Sequence, residues 1–375
     1  MSTADLLYSD TEDALRESVR RLLADRCPPE LVAEAYDQES VDFTGIWKSL
    51  AVDLGLAGLL VPESLGGAGA SAREAAVVME EVGRAVAPVP YLSSAVLATV
   101  ALLEAGDEQT VGALAEGATT AALAVGLATP PGRFAPRVRR EANTLVGTVT
   151  SVAGVPEADI LVVPVEGPEG LELHTVSAGA AGVSVTQVLS LDMTRPLSDV
   201  VFDGAASTRV DGGTASTGAD GGTADEAVRA ALGAGAALLA SEQLGLAQWC
   251  FETTLAYVKE RKQFGRAVGS FQAIKHRIAD IWLEVTSATA AARYAADAYA
   301  RGDSDAEIAA ALAQAYCSDV AVHAAEECIQ LHAGIGMTWE YPAHLYLKRA
   351  KSDQLAFGTP YRHRAHLATL IDLPA

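Results

Sequence analysis

The stretch Glu260-Arg261-Lys262-Gln263-Phe264-Gly265-Arg266, running on to Gly269-Ser270-Phe271-Gln272, concentrates residue types that can hold an anion. A long apolar run ends there in charges and aromatics, the chain turns at Gly265, and Ser270 stands where it would cap the next helix. Basic side chains beside the unpaired amides of a helix N-terminus make an anion site, because the peptide dipoles and the free N–H groups both favour negative charge. A basic interhelical turn without a ligand has the same composition, and the residue types alone do not separate the two. Metal chemistry has less behind it. Cys27, Cys250, Cys317 and Cys328 are scattered without a CxxC pair, and Cys328 with His332 supplies only two of the ligands zinc requires. Small buried thiols in a reducing compartment fit this spacing better.

The chain that must position these groups has 375 residues, of which 50% are hydrophobic and 20% charged, enough for two or three structural units. Its formal net charge of −21 argues against nucleic-acid or anionic-membrane partners, which need a basic surface. The opening MSTADLLYSD has no basic segment followed by an apolar run, so a cytoplasmic protein without a signal peptide is expected. Apolar stretches such as 91–103 are too short to span a bilayer.

Helical spacing marks Thr11–Arg26, Phe43–Leu60, Ala72–Val86 and Leu92–Ala105, so residues 1–118 are expected to form a helical domain. From about Thr119 short Val-, Leu- and Thr-rich runs alternate with Gly and Pro, which predicts an antiparallel, barrel-like β-domain over 119–204 and disfavours βαβ units. Residues 205–226 are mostly Gly, Ala, Ser, Thr and Asp and read as a flexible linker. A helical bundle is expected over 227–375, opened by a long, nearly charge-free helix that should be buried on most sides. The expected fold class is therefore α+β and multidomain, in the order helices, β-domain, four-helix bundle.

The run ERKQFGRAVGSFQAIKHRIAD resembles the flavin signature of the acyl-CoA dehydrogenase family, an Arg-x-x-Phe-Gly turn followed by a Gln on the next helix. Gln330-Leu331-His332-Ala333-Gly334-Ile335-Gly336 through Tyr341-Pro342 resembles the family's later glycine-rich segment. Leu54-Gly55-Leu56 with Pro62-Glu63 and Gly66-Gly67, Glu80-Glu81-Val82-Gly83-Arg84, and Leu191-Asp192-Met193-Thr194-Arg195-Pro196 match in the same order. The resemblance implies an acyl-CoA thioester substrate, an FAD shared between subunits of a dimer or tetramer, and an electron-transfer flavoprotein as acceptor. Carried over, Arg261 would pair with the pyrophosphate, Phe264, Val268 and Gln272 would line the adenosine side, and Gln330, Gly334 and Thr359 would approach the same cofactor. His332 is read as a packing or capping residue.

The family reaction needs a carboxylate to take the α-proton while hydride leaves the β-carbon. In Asp353-Gln354-Leu355-Ala356-Phe357-Gly358-Thr359 the position of that base holds Phe357, and the alternative position on the long helix holds Gly235, followed by Ala236 where an Arg is usual. The segment 124–132 lacks the family's flavin loop, and no Trp-Ile-Thr stands near Thr150. The resemblance therefore leaves three readings: a base-lacking subunit partnered by a paralogous chain, an active homo-oligomer with a base relocated to Asp353 or Glu242, or a flavin-dependent oxidase or monooxygenase. Asp353 and Glu242 are expected more as helix-surface or packing residues than as bases. The first reading accounts for the joint loss of base, Arg and flavin loop.

Overall fold

The computed structural model describes residues 6–36, 41–132, 134–210 and 223–373, so most of the expected linker lies outside the described residues. The helical part comprises α1 (Asp10–Arg26), α2 (Pro29–Glu34), α3 (Thr44–Lys48), α4 (Ala72–Ala85), α5 (Thr99–Ala105) and α6 (Glu108–Ala115). Helices α1 and α4 each start with a reciprocal cap, Ser9 with Glu12 and Ser71 with Glu74, which satisfies amides the helix itself cannot. The run 43–60, expected as one helix, is broken. After α3 the backbone widens into a π-helical turn over Ser49–Asp53, and Gly55 then takes φ 69, where a side chain would be strained. A second widened stretch, Tyr91–Ala98, is buried throughout and leads into α5.

The sheet contains β1 (Ala121–Leu123), β2 (Val138–Glu141), β3 (Thr144–Ala153), β4 (Ile160–Gly167), β5 (Gly170–Ser177), β6 (Val183–Val188), β7 (Leu197–Ala206) and β8 (Thr208–Arg209). Its order is β6-β7-β3-β2-β4-β5-β8, with β1 also on β4. It is open rather than barrel-like, and it is not wholly antiparallel. Strands β1 and β2 both lie parallel to β4, with Ala121 opposite Ile160 and Val138 opposite Val165. The segment between them is thus an excursion that leaves one edge of β4 and rejoins it further along. Residue alternation cannot distinguish the two pairings, since the side-chain period is two in both. Leu161, Val162, Val163 and Val165 of β4 are fully buried, as a strand covered on both faces requires.

The chain becomes helical again in α7 (Ala224–Glu260), which starts three residues before the sequence boundary with Thr223 and Glu226 in a capping box. The hairpin β9 (Lys262–Gln263) and β10 (Arg266–Ala267) leads to α8 (Gln272–Ala300), α9 (Ala306–Leu331), α10 (Ala343–Leu355) and α11 (Pro360–Leu370). Ser270 does not cap α8; its hydroxyl donates to the Ala267 carbonyl, and Phe271 holds the cap position without a side-chain bond. By length and composition α7 would suit a membrane, but 89% of its apolar window is buried inside the fold.

Helices α4 and α7 cross at backbone contact. A Cβ on Gly245 would meet the Glu80 carbonyl oxygen at 1.9 Å, and one on Gly83 would meet that of Glu242 at 2.1 Å. No other residue fits at either position.

Candidate active site and dinucleotide face

Phe357 and Gly235, the two positions where a base was sought, touch each other. Phe357 follows α10 in a left-handed conformation (φ 54), is buried, and donates its amide to the Leu127 carbonyl in the loop after β1 at 2.8 Å. A Cβ on Gly235 would lie 2.6 Å from the Phe357 ring and 2.7 Å from Leu97. The ring therefore fills the space that a side chain at 235 would need. The Gly235→Ala variant is expected to lose about 1–3 kcal/mol through overpacking. Adding Phe357→Leu should recover part of that loss, and denaturant midpoints of the single and double variants read both effects.

Asp353 and Glu242, the substitute carboxylates, lie neither on a helix surface nor free for catalysis. Both are fully buried in an ion cluster joining the β6–β7 connection to the bundle. The Arg195 guanidinium reaches Asp353 at 2.5 Å and Glu242 at 2.6 Å. Arg349, also buried, reaches Glu242 at 2.6 Å, Asp192 at 2.8 Å and the Thr194 hydroxyl at 2.6 Å. Three carboxylates thus face two guanidinium groups. Burial and the neighbouring Glu242 charge raise Asp353 to about 8 despite the two arginines, so the cluster keeps a proton on it at neutral pH. Burial pushes Asp192 the same way, but Arg349 and Thr194 outweigh it and its carboxyl is held below its ordinary value.

A group whose folded-state value is raised binds more protons folded than unfolded, so its contribution is complete below pH about 4 and is lost as pH rises towards about 8. Asp353→Asn keeps an acceptor for Arg195 and removes the titration. The variant is expected to be within about 1 kcal/mol of the native chain at pH 6 and to match or exceed it above pH 8, measured by urea unfolding across that range.

The signature segment forms a different surface. Phe264 and Gly265 make the two-residue turn of the β9–β10 hairpin, with φ 53 and 77, the pattern of a type I′ turn. Phe264 stands at the tip, 91% exposed, edge-on to Phe271, over which the Arg266 guanidinium lies at 3.8 Å. Arg261 closes α7, and its side chain, with those of Gln272 and Gln330, is exposed and makes no hydrogen bond or ion pair among the described residues. A Cβ on Gly334 would meet nothing within 4 Å. Val268 packs half-buried against the core. Thr359 is set apart: it caps α11 and is separated from Gly334 by the 13-residue α10, about 20 Å long at the helical rise.

His332 is buried behind the glycine turn. Its Nδ1 bonds the Cys328 carbonyl at 2.7 Å, its Nε2 the Tyr341 hydroxyl at 2.6 Å, and Tyr257 stacks on its ring. Among the described residues no group of three His, Cys, Asp or Glu could hold a metal. Beside the hairpin an apolar groove of about 510 Å3 runs between α7 and α8, lined by Phe251, Leu255, Ile274 and Trp282. Trp282, Leu283, Met337 and Trp339 are each more than half exposed. Apolar side chains of this size left in water mark surfaces for association.

Residues 9–114 match the model of the acyl-CoA dehydrogenase N-terminal domain, and residues 226–371 that of the acyl-CoA dehydrogenase C-terminal domain. The chain is 34% identical over 352 residues to acyl-CoA dehydrogenase IpdE2 of Mycolicibacterium smegmatis, covering 94% of this chain and 96% of that protein. It is 33% identical to the IpdE2 of Mycobacterium tuberculosis, covering 92% of each. The chain belongs to the acyl-CoA dehydrogenase family. Among solved structures it resembles the ChsE4-ChsE5 complex of Mycobacterium tuberculosis, with a TM-score of 0.85, 28% identity and coverage of 99% and 100%. It also resembles a variant of the Tcur3481-Tcur3483 steroid acyl-CoA dehydrogenase, with a TM-score of 0.83, 27% identity and coverage of 97% and 98%.

FAD is the cofactor of this family, and the chain fits it at one end only. Arg261, Gln272 and Gln330 each present an exposed, unengaged polar group, and Gly334 leaves room for close approach, as a pyrophosphate and adenosine require. At the other end the loop after β1 is tied by Leu127 to Phe357. There the Phe357 ring fills the space beside Gly235.

Sequence reading missed the cluster. Asp192, Thr194 and Arg195 were visible as a motif, but Arg349 stands in the run Lys348-Arg349-Ala350-Lys351 and looks like a solvated basic face. A regular spacing of buried positions, with Tyr346, Ala350 and Asp353 on the same side of α10, is the one signal that singles it out.

Proposed function

We propose that this chain is the base-lacking subunit of a heteromeric acyl-CoA dehydrogenase, whose paralogous partner supplies the carboxylate that takes the α-proton. The observation that carries this reading is the Phe357 ring packed into the space at Gly235, which removes both the base and the room for one. The signature face supports it from the other side. It offers a charged fork and amide groups that no described residue engages, so it suits a cofactor seated mainly in another subunit. FAD bound there would accept hydride from the β-carbon of the acyl thioester and pass electrons to an electron-transfer flavoprotein. The chain's own part is to hold the nucleotide: Arg261 through a forked contact to the pyrophosphate, with Gln272 and Gln330 bonding towards the adenosine. The structural likeness to the ChsE4-ChsE5 complex, named for two different chains, is consistent with this assembly.

A relocated base has no observation in its favour, since Asp353 and Glu242 are committed to Arg195 and Arg349. The test is expression of the chain alone and together with a paralogue that has glutamate at the base position. The chain alone should purify with far less than one FAD per subunit and no acyl-CoA oxidation. The co-purified pair should be yellow and reduce an artificial acceptor. Stoichiometric flavin and turnover by this chain alone would rule the proposal out.

A further inference from the structure

We infer that Cys250 and Cys328 are a redox-active thiol pair, which a peroxide converts to a disulfide between α7 and α9, one helical turn before the glycine turn Ala333–Met337. The register of the two helices brings the cysteines together. Gln243 on α7 bonds the Ser318 hydroxyl on α9 at 3.0 Å, and Tyr257 stacks on His332 at the end of α9 with ring centroids 4.3 Å apart. Gln243 to Tyr257 and Ser318 to His332 are equal intervals of 14 residues, so the helices run in the same direction and in step over this stretch. On that register Cys250 and Cys328 are offset by three residues, about 4.5 Å of helical rise. Their buried neighbours Ala247, Ala324 and Ala325 are small enough for the backbones to approach to the Cα separation of about 4.4–6.8 Å that a disulfide spans.

Both thiols are fully buried and lie within hydrogen-bonding reach of each other. The groups around them fit a reactive sulfur. His332 Nδ1 lies 2.7 Å from the Cys328 carbonyl, so it carries the ring proton, and it is 3.7 Å from the Cys328 Sγ. The Tyr341 hydroxyl bonds Nε2 and fixes that tautomer. Hydrogen bonding from Cys250 lowers Cys328 below the ordinary thiol range against burial, and His332 and Thr254 add to it, whereas burial pushes Cys250 up. Cys328 is therefore the attacking sulfur and Cys250 the resolving one. With hydrogen peroxide as oxidant, the Cys328 sulfur attacks one oxygen, the O–O bond breaks, and the hydroxide that leaves takes the thiol proton as water. Cys250 then attacks the sulfenic sulfur, the S–O bond breaks, and a second water takes the Cys250 proton. The two thiols lose two electrons and the peroxide gains them. A cavity of about 400 Å3 lined by Cys27, Trp249 and Tyr346 reaches the residue before Cys250 and gives the peroxide its entry. The other thiols are placed differently. Cys317 faces the Ala288 carbonyl on α8 at 3.6 Å, and burial raises Cys27 to about 12.

The test is peptide mapping of the full chain, in the assembly in which it purifies, after exposure to hydrogen peroxide and alkylation of the remaining thiols. A linked pair of peptides joining Cys250 to Cys328 is expected, reversed by dithiothreitol, with Cys27 and Cys317 still alkylated. Cys250→Ser should stop Cys328 at the sulfenic acid, trapped by dimedone, and Cys328→Ser should slow the oxidation of Cys250 at least tenfold. No linked pair in the native chain, equal oxidation of all four cysteines, or oxidation of Cys250 at the native rate in Cys328→Ser would each overturn the inference. Flavin content and turnover do not enter this readout, so its failure and that of the subunit assignment are separable.

Discussion

Replacing Arg261 with alanine in the two-chain assembly is expected to strip the FAD while the chains stay together. The Arg261 side chain extends from the end of α7 and has no partner among the described residues, so its removal should cost the fold almost nothing. In the assembly it would make two charge-assisted bonds to a pyrophosphate, each worth about 1.5–3 kcal/mol. Loss of both predicts roughly a hundredfold or larger fall in flavin affinity, since each 1.4 kcal/mol is tenfold. Lysine at 261 keeps the charge without the fork and should fall between native and alanine. Flavin absorbance after gel filtration reads cofactor retention, and the elution volume reads the assembly. An Arg261→Ala pair that keeps its full flavin would remove the residue from the site.

Arg349→Met should be the most destabilising single change in the chain. Arg349 is buried among Asp192, Glu242 and the Thr194 hydroxyl, and it opposes three carboxylates with only Arg195 beside it. Burial works against the charge of this guanidinium, but Asp192, Glu242 and Asp353 outweigh it and hold its proton more tightly than usual. Without it the acids are left uncompensated in a low-dielectric interior, a loss of about 3–5 kcal/mol. That is a large share of a stability of about 5–15 kcal/mol. The carboxylates of the variant, raised in the fold, bind protons that the unfolded chain releases. Its stability deficit should therefore grow from pH 5 to pH 8, the sign that linkage requires. Urea unfolding at the two pH values checks this, and a deficit independent of pH would show that lost packing dominates.

The three-part order of the chain was legible because each part has its own texture. Val19 and Leu23 recur at helical spacing, β4 is a run of Val and Leu, and α7 is apolar on every side. Gly265 was legible as a turn because glycine takes its positive φ at no steric cost, whereas the hairpin and the left-handed Phe264 before it were not. What stayed hidden depends on contacts between distant segments. Nothing local tells that Ser49–Asp53 and Tyr91–Ala98 widen into π-helical turns, since the burial that stabilises them comes from the rest of the core. The parallel placement of β1 and β2 on β4 is invisible to alternation. At the site, Phe357 and Gly235 could each be read as a missing base, but their mutual contact is a fact about α7 and the end of α10, more than 100 residues apart.

The crossing of α4 and α7 at Gly83 and Gly245 bears on how the polypeptide is made. The N-terminal helices bury their inner face against a helix that is translated some 150 residues later. Until α7 has left the ribosome, Val78, Met79 and Val82 have no complete surface to settle on. The first third of the chain must therefore wait, with apolar surface open to the solvent, while the β-domain is synthesised. Synthesis of this protein should lean on holding chaperones, and the ribosome-bound nascent chain should stay open to protease until α7 emerges.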